Sequence, residues 1–469
     1  MTGLTELPAS PAKPLTSFIT SLEWDDVPDD VKQKTVLAAI DDLAAVISGA
    51  PATSARIAAD YAAATFSAGE ATLVADVRRT RAEGGAFANA VAANAYDIDD
   101  VSVHNWGHPG AQVFPTALAL CEEQGRSGRD LLTALLVGYE IASVAGLCLY
   151  ADVPVSPERD YRGCGAWGAV ACSAVAARLL GLGENETWHA LGIAEYHAPH
   201  VELLRDVAYP AMVKHGHGPA ALTGVMSGRL AARGFTGIPT HLGDDRFTER
   251  MSELGVRYFI MGRGLEWKNY ACCWWVHPAL SAVEAIMQAT PFTADDVSRI
   301  TIEAHHDSRL LGAAKPATTE EAQFNMAWPI AALIIDGDVS PGQVAEDRMD
   351  DESMLSLVSR IELRESAELD RLFWLADSGS PEGREGARVL VELRDGRVLD
   401  SGIVSLPPCE ESTWTTERMR GKFHWATQRV LTEGASEEIC GLVEDLSVLD
   451  DVRVLTAALR GHLFESSAT

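Results

Sequence analysis

The feature that most constrains the fold is an almost continuous series of alanine-rich segments with helical spacing between about residues 15 and 237. Residues 31–48 repeat apolar side chains every three or four positions and stop at Gly49-Ala50-Pro51, a typical helix-ending pattern. The same pattern recurs in residues 84–96, 112–124, 129–150, 166–182, 184–196 and 219–233. Because such helices must bury their apolar faces against one another, the pattern predicts a large all-helical domain.

The pattern changes after about residue 265. In residues 297–304 apolar and polar side chains alternate, and Ile and Val are frequent, which predicts a strand. Residues 354–364 and 388–399 show the same pattern. The pair Asp395-Gly396 is typical of a hairpin turn. Helices are expected at 278–289 and 323–335, and the pattern of the tail, 415–463, predicts helix again. We therefore expect a mostly α protein, with a helical domain from residues 1–264 and 406–469 and a smaller α+β domain from 265–405.

Charge and composition exclude several classes of protein. The chain has 67 acidic against 38 basic residues, a net charge of -29, which argues against nucleic-acid binding. Residues 1–14 do not resemble a signal peptide, and the sequence lacks a membrane-spanning run of about 18 apolar residues. The eight cysteines follow no disulfide framework, so we expect a cytoplasmic protein with reduced thiols. An anionic substrate would require the few cations to be gathered at one place.

The most polar cluster of the helical region is Asp97-Ile98-Asp99-Asp100, which is followed by His104 and His108-Pro109-Gly110. Carboxylates close to a histidine orient its imidazole and raise its basicity, which favours general acid–base chemistry. A solvated helix-capping loop explains the same residues equally well. A metal site of Asp and His ligands is a third interpretation, although the spacing matches no specific metal motif.

A second cluster, Lys214-His215-Gly216-His217-Gly218, opens the helix that begins near Pro219. The free N–H groups of a helix N-terminus attract anions, and these three side chains add cationic or titratable groups beside it. The alternative is an ordinary solvated turn at the start of a helix.

Two further segments contain candidate residues. Trp267-Lys268 and Cys272-Cys273 precede His277-Pro278 at the expected domain junction, where a buried structural histidine is the alternative to a catalytic one. Tyr161-Arg162-Gly163 leads into a helix, and the forked guanidinium of Arg162 is suited to binding a carboxylate. Adjacent cysteines chelate one ion poorly, so no metal or iron–sulfur site is expected.

Taken in order, these segments resemble the MmgE/PrpD family, which includes 2-methylcitrate dehydratase, cis-aconitate decarboxylase and iminodisuccinate epimerase. The resemblance rests on AANAYDIDD, HPG with VFP, GYE, CGAWGAV, ALGIA, MVKHGHGPAALTG, WKNYACCWWVHP and QFNMAWPIAALIIDG, which run through most of residues 15–430. It implies a helical domain plus a smaller α+β domain, a homodimer, no cofactor and a small polycarboxylate as substrate.

The resemblance also implies residue roles. Asp97, His108, Lys214 and His277 match catalytic positions of the family, while Tyr161, Arg162, Lys268, His104 and His217 are the expected substrate-binding residues. The chain departs from the family in two places, since Tyr161-Arg162-Gly163 stands where a histidine is usual and Val101 replaces a polar residue.

These roles predict a lyase that transfers a proton beside a carboxylate, by dehydration of a 2-methylcitrate-like acid or decarboxylation of a cis-aconitate-like one. A dicarboxylate epimerase is one alternative, because reprotonation of the same carbanion gives it. A metal-dependent hydrolase and a catalytically inactive polycarboxylate-binding protein are alternatives from other classes.

Overall fold

Helices dominate the residues that the computed structural model describes, which are 12–151, 161–377, 380–406 and 414–461. The N-terminal helices are α1 (Ala12–Ser21), α2 (Asp29–Gly49), α3 (Thr53–Thr65), α4 (Ala82–Ala93), α5 (Gly110–Gln124), α6 (Gly128–Leu149), α7 (Cys164–Leu179), α8 (Glu184–His197), α9 (Leu203–Ala208), α10 (His217–Ala231) and α11 (Thr248–Ser252). Between α3 and α4, β1 (Ala71–Thr72) pairs antiparallel with β2 (Arg79–Thr80). The predicted helices are therefore confirmed, with ends that differ by a few residues.

Helix α7 lies at the centre of this region and packs against α5, α6, α8 and α10. Its alanine and glycine residues are buried on all sides, which explains why its sequence shows no polar face. Helix α6 is long and apolar enough to cross a membrane, but 94% of its most apolar window is buried inside the protein. Such burial is typical of the core helix of a globular fold.

The second region contains a four-stranded sheet in the order β4-β3-β5-β6. Its elements are α12 (His277–Ala289), β3 (Val297–Ala304), α13 (Thr319–Gln323), α14 (Ala327–Asp336), α15 (Pro341–Val344), α16 (Glu352–Val358), β4 (Ile361–Glu365), α17 (Ala367–Asp377), β5 (Gly386–Leu393) and β6 (Val398–Ser405). Strand β3 is parallel to β4 and antiparallel to β5, while β5 and β6 form the predicted hairpin across Asp395-Gly396.

Two sequence predictions in this region are wrong in part. Residues 354–364 are not one strand, because Asp351 accepts the N–H groups of Ser353 and Met354 and thereby starts α16. The predicted helix 323–335 is interrupted after Gln323, since Asn325 Oδ1 accepts the N–H groups of Ala327 and Trp328 and begins α14 anew. In both places a side-chain cap overrides the apolar pattern.

The C-terminal tail is helical, as predicted, with α18 (Thr416–Thr427), α19 (Glu433–Glu444) and α20 (Arg453–Gly461); the predicted end at residue 463 lies outside the described residues. Helix α18 packs against α2 of the N-terminal region. Its buried Lys422 pairs with Asp41 and donates a hydrogen bond to the carbonyl of Ile98, 3.1 Å away. The tail therefore supports the aspartate-rich loop that follows α4.

Candidate active site

The loop between α4 and α5 carries the aspartate cluster. Asp97 adopts a left-handed backbone conformation with φ of 54°, which is costly for a residue other than glycine and is common at functional sites. Lys268 holds this conformation from a distant part of the chain: its Nζ donates to the Asp97 carbonyl at 2.8 Å and lies 3.0 Å from Asp97 Oδ2. Both side chains are fully buried, so the pair forms a rigid charged centre away from water.

The charges of this pair stabilise each other. Burial opposes ionisation of Asp97, but the positive charges of Lys268 and Lys214 outweigh it, and the pKa of the carboxyl lies below its ordinary value. Burial likewise opposes the Lys268 ammonium, yet Asp97 and Asp99 outweigh it and raise the pKa of this amine. Both groups are consequently charged at neutral pH.

Below this pair lies a set of buried acids. Asp100 accepts the N–H of Gly110 at 3.1 Å, and the Tyr139 hydroxyl donates to Asp42 at 2.9 Å. Burial, reinforced by the neighbouring carboxyl groups, raises the pKa values of Asp42 and Asp100 well above the ordinary range. Position 110 must be glycine, because a Cβ there would come within 1.8 Å of Asp42 Oδ1. These groups clamp the start of α5 and so position His108.

His108 is held as a neutral base. Its Nδ1 lies 2.6 Å from the carbonyl oxygen of Asp100, which can only accept, so Nδ1 carries the proton and Nε2 has a free lone pair. Burial and the positive charge of Lys268 lower the pKa of His108 well below its usual value. Nε2 lies 3.9 Å from Asp97 Oδ1. The imidazole is thus oriented, unprotonated and next to the Asp97–Lys268 pair.

A second histidine of the site, His215, was absent from the predicted site residues. Its Nδ1 and its backbone N–H both contact Asp206 Oδ2, at 2.8 and 2.6 Å, and its φ is 60°. The ring centroids of His215 and His108 are 5.3 Å apart. His215 Nε2 is buried without a hydrogen-bond partner among the described residues. A carboxylate-oriented imidazole therefore lies beside the neutral His108.

Lys214 is buried behind these rings. Its Nζ donates to Gln323 Oε1 and lies 5.7 Å from the centre of the Phe324 ring. Gln323 is itself fixed by hydrogen bonds to the Ala95 carbonyl and Thr319. Burial lowers the pKa of Lys214, although Asp97 and Asp99 oppose the shift. The two lysines gather positive potential next to the two histidines, inside an otherwise acidic protein.

A cavity of about 580 Å³ opens next to these groups. Its walls include His108 and His215 together with predicted residues His104 and Tyr161. His104 and Arg250 both line it; Arg250 adds a positive charge, and its Nη1 atom is buried without a hydrogen-bond partner among the described residues. Burial keeps His104 neutral by lowering its pKa to about 4.

The other predicted residues lie away from the cavity surface. His277 contacts Tyr270 and Trp274, with its Nε2 3.3 Å from the Cys272 carbonyl; Trp274 lines the cavity and His277 does not. Burial and Lys268 lower the pKa of His277 to about 3.

Arg162 and His217 are also off the main cavity wall as far as the described residues define it. The backbone of Arg162 bridges to Glu202, and its carbonyl accepts the Tyr150 hydroxyl at 2.6 Å. His217 is buried at the start of α10, with its ring centroid 6.1 Å from that of His108. With Lys214 it faces a second cavity of about 350 Å³.

The same groups could hold a cation. One ligand atom each of Asp97, His108 and His215 lies within 4.8 Å of the others, and each imidazole has its Nδ1 engaged by an oxygen, as is usual for metal-binding histidines. Lys268 already pairs with Asp97, however, and Lys214 is close by, so a divalent ion would meet repulsion from two ammonium groups.

Both halves of the chain match sequence models of one protein family. Residues 13–252 match the MmgE/PrpD N-terminal domain and residues 270–447 match the MmgE/PrpD C-terminal domain. The chain belongs to the MmgE/PrpD family. The resemblance inferred from the sequence motifs is thereby confirmed.

Curated members of the MmgE/PrpD family are similar to this chain over most of their length. The cis-aconitate decarboxylase-like protein oryM of Aspergillus oryzae is 26% identical over 96% of this chain and 97% of its own length. A cis-aconitate decarboxylase of Aspergillus terreus is 25% identical, with 94% of each chain covered. The mouse cis-aconitate decarboxylase is 24% identical over 82% of this chain and 80% of its own.

Within this MmgE/PrpD chain, residues from three distant segments meet. Asp97 and His108 come from the loop before α5, Lys214 and His215 from the turn before α10, and Lys268 from the segment before α12. His215 and its partner Asp206 are the additions that the structure makes to the residues predicted from sequence. The histidine-rich motif at 214–218 could have indicated His215, whereas Asp206 lies in a six-residue helix with no distinguishing sequence pattern.

Proposed function

We propose that the protein is a lyase that removes a proton from a carbon next to a carboxylate of a small di- or tricarboxylic acid, without a cofactor. The observation that carries this proposal is the neutral, oriented His108 imidazole beside the buried Asp97–Lys268 pair at one end of the cavity. The names of the similar cis-aconitate decarboxylases support the substrate class.

His108 is the proposed general base. Its proton is on Nδ1, which donates a hydrogen bond to the Asp100 carbonyl. Nε2 is therefore available to take a proton from carbon. The lowered pKa keeps this nitrogen unprotonated at neutral pH, as a general base requires. A positioned base of this kind contributes roughly 10²–10⁴ in rate.

His215 is the proposed general acid, in place of the sequence prediction His277, which packs against Trp274 and does not line the cavity. The Asp206 carboxylate orients the His215 ring through Nδ1 and leaves Nε2 as the proposed donor to a departing hydroxyl group or to a carbanion. The ring separation of 5.3 Å leaves the two imidazoles able to reach neighbouring atoms of one substrate.

The lysines stabilise the charge that develops when the proton leaves. Deprotonation beside a carboxylate gives an enediolate-like carbanion, whose negative charge needs prepositioned positive groups. Lys214 and Lys268 lie just behind the histidines, and Arg250 on the cavity wall is suited to binding a second carboxylate. Loss of one such group costs on the order of 3 kcal/mol in activation free energy.

The substrate is tested with a panel in D₂O. Purified protein is incubated with citrate, 2-methylcitrate, cis-aconitate and iminodisuccinate, and proton NMR follows deuterium uptake, alkene formation and loss of CO₂ separately. We expect one of the three reactions with at least one acid, and His108→Ala and Lys214→Ala should each abolish it while the circular dichroism spectrum stays that of the wild type. Unchanged turnover in both variants would exclude this assignment.

The metal-dependent hydrolase is the second candidate, because the ligand atoms of Asp97, His108 and His215 lie within 4.8 Å of one another. Repeating the panel after dialysis against a chelator separates the two mechanisms. Retained activity supports proton transfer by the side chains, whereas loss of activity that Zn²⁺ or Mn²⁺ restores supports the metal site. Binding of the acids without any product would identify an inactive binding protein. The homodimer implied by the family stays a prediction.

A further inference from the structure

One side of the main cavity is a continuous wall of aromatic rings. Tyr150 contacts Tyr161 with ring centroids 4.9 Å apart, Tyr161 stacks on Trp106 at 5.1 Å, and Trp106 contacts Phe373 at 6.0 Å. Phe373 in turn contacts Trp275 at 6.5 Å. All five rings line the cavity, and we call them the aromatic wall.

Ring carbons make up most of the side-chain atoms of the aromatic wall. The Tyr150 hydroxyl donates a hydrogen bond to the Arg162 carbonyl, so the ring of Tyr150 provides its contact surface. Leu203 and Val207 from α9 and Leu147 from α6 extend the apolar surface beyond the rings. A substrate made only of carboxylates and a short carbon backbone would bury charged groups against this surface at a large desolvation cost.

The cavity is also larger than a small tricarboxylic acid requires. Such an acid has about twelve non-hydrogen atoms, which fill only about 360 Å³ even at the roughly 30 Å³ that a whole water molecule takes in the liquid. The cavity volume is about 580 Å³. The difference is sufficient for about seven further carbon atoms at the same volume per atom.

We infer that the natural substrate is a di- or tricarboxylic acid with an alkyl substituent of several carbons, which lies along the aromatic wall while the carboxylates face His108, His215 and Arg250. The inference rests on the proposed function and specifies its substrate class. It requires that affinity increases with the length of the alkyl chain, by about fourfold per buried methylene group at about 0.8 kcal/mol each.

Binding of alkylsuccinates measures this dependence without requiring turnover. Isothermal titration calorimetry of the full-length protein would compare succinate with methyl-, butyl- and hexylsuccinate. We expect Kd to fall with each added carbon up to about hexyl, in total by 100-fold or more. Equal or weaker binding of hexylsuccinate relative to succinate would overturn the inference.

Variants that fill the space beside the aromatic wall provide a second test. Val207→Phe and Ala376→Phe enlarge lining residues from two different elements, α9 and α17. Each should lower the affinity ratio of hexylsuccinate to succinate at least tenfold. Ala208→Phe is the matched control, because Ala208 is the next residue of α9 and does not line the cavity. An unchanged affinity ratio in both cavity variants would contradict the proposed location of the ligand's alkyl chain.

The two proposals fail in different ways. If short acids react but an alkyl chain improves neither binding nor kcat/KM, the substrate inference is wrong and the lyase proposal stands. If alkylsuccinates bind in the expected order but no acid, with or without an alkyl chain, exchanges deuterium or forms product, the proposed reaction is wrong while the apolar binding surface is correct.

Discussion

Replacing Lys268 by methionine removes the positive member of a buried ion pair and leaves the Asp97 carboxylate without its main partner. The Lys268 Nζ to Asp97 Oδ2 distance is 3.0 Å and both side chains have no exposed surface, so water cannot take the place of the lost ammonium. Breaking such a pair costs about 3–5 kcal/mol in the free energy of unfolding. At about 2–4 °C per kcal/mol for a domain of 150–250 residues, the unfolding midpoint should fall by about 6–20 °C.

Thermal unfolding followed by circular dichroism at pH 7 measures this change. Lys315→Met is the matched control, because Lys315 forms an exposed pair with Asp350 at 3.9 Å and its removal should change the free energy of unfolding by less than about 1 kcal/mol. The double variant Asp97→Asn with Lys268→Met should lose less stability than the sum of the two single variants, by about 0.5–3 kcal/mol. Additive single effects, or a Lys268→Met midpoint equal to that of the control, would refute the buried pair.

Three further predictions concern the histidines and a helix cap. Asp206→Asn should lower kcat at least tenfold with little change in KM, because the carboxylate orients His215; a change in stability alone would contradict this. The acidic limb of the kcat/KM profile should lie well below pH 6.5, because a base with a lowered pKa is protonated only when the pH falls through that lower value. An acidic limb at or above pH 6.5 would exclude His108 as the base. Ser127→Ala should cost about 1 kcal/mol by urea unfolding, since Ser127 and Asp130 form the capping box of α6, and full stability would argue against this cap.

Much of the fold follows from the sequence because long helices impose a visible period. The start and end of α2 lie within two residues of the predicted bounds, and the hairpin at Asp395-Gly396 forms where the turn residues indicate. Short elements are less predictable. The apolar residues of 354–364 fit a strand, but the side chain of Asp351 caps a helix, and local hydrogen bonding of this kind is not visible in hydrophobic spacing.

The site shows the same division between local pattern and tertiary contact. Asp97, His108 and Lys214 were predicted as site residues because polar residues stand out in an apolar helical region, and the structure brings them near one another. It did not predict that Lys268, 171 residues from Asp97, pairs with that carboxylate rather than facing the cavity. The Asp206–His215 contact depends on how helix α9 packs against the turn before α10, which no local motif encodes.

The central claim is that the His108 imidazole removes a proton from a carbon next to a carboxylate. Tricarballylate, a tricarboxylic acid without a hydroxyl leaving group, isolates that step, since only exchange with solvent can follow deprotonation. The protein is first dialysed against a chelator, and NMR in D₂O then follows the replacement of the α-protons of tricarballylate by deuterium. We predict that the wild-type protein catalyses this exchange and that His108→Ala catalyses it at least 100-fold more slowly, in line with the contribution of a general base. Equal exchange by the two proteins would contradict the assignment of His108.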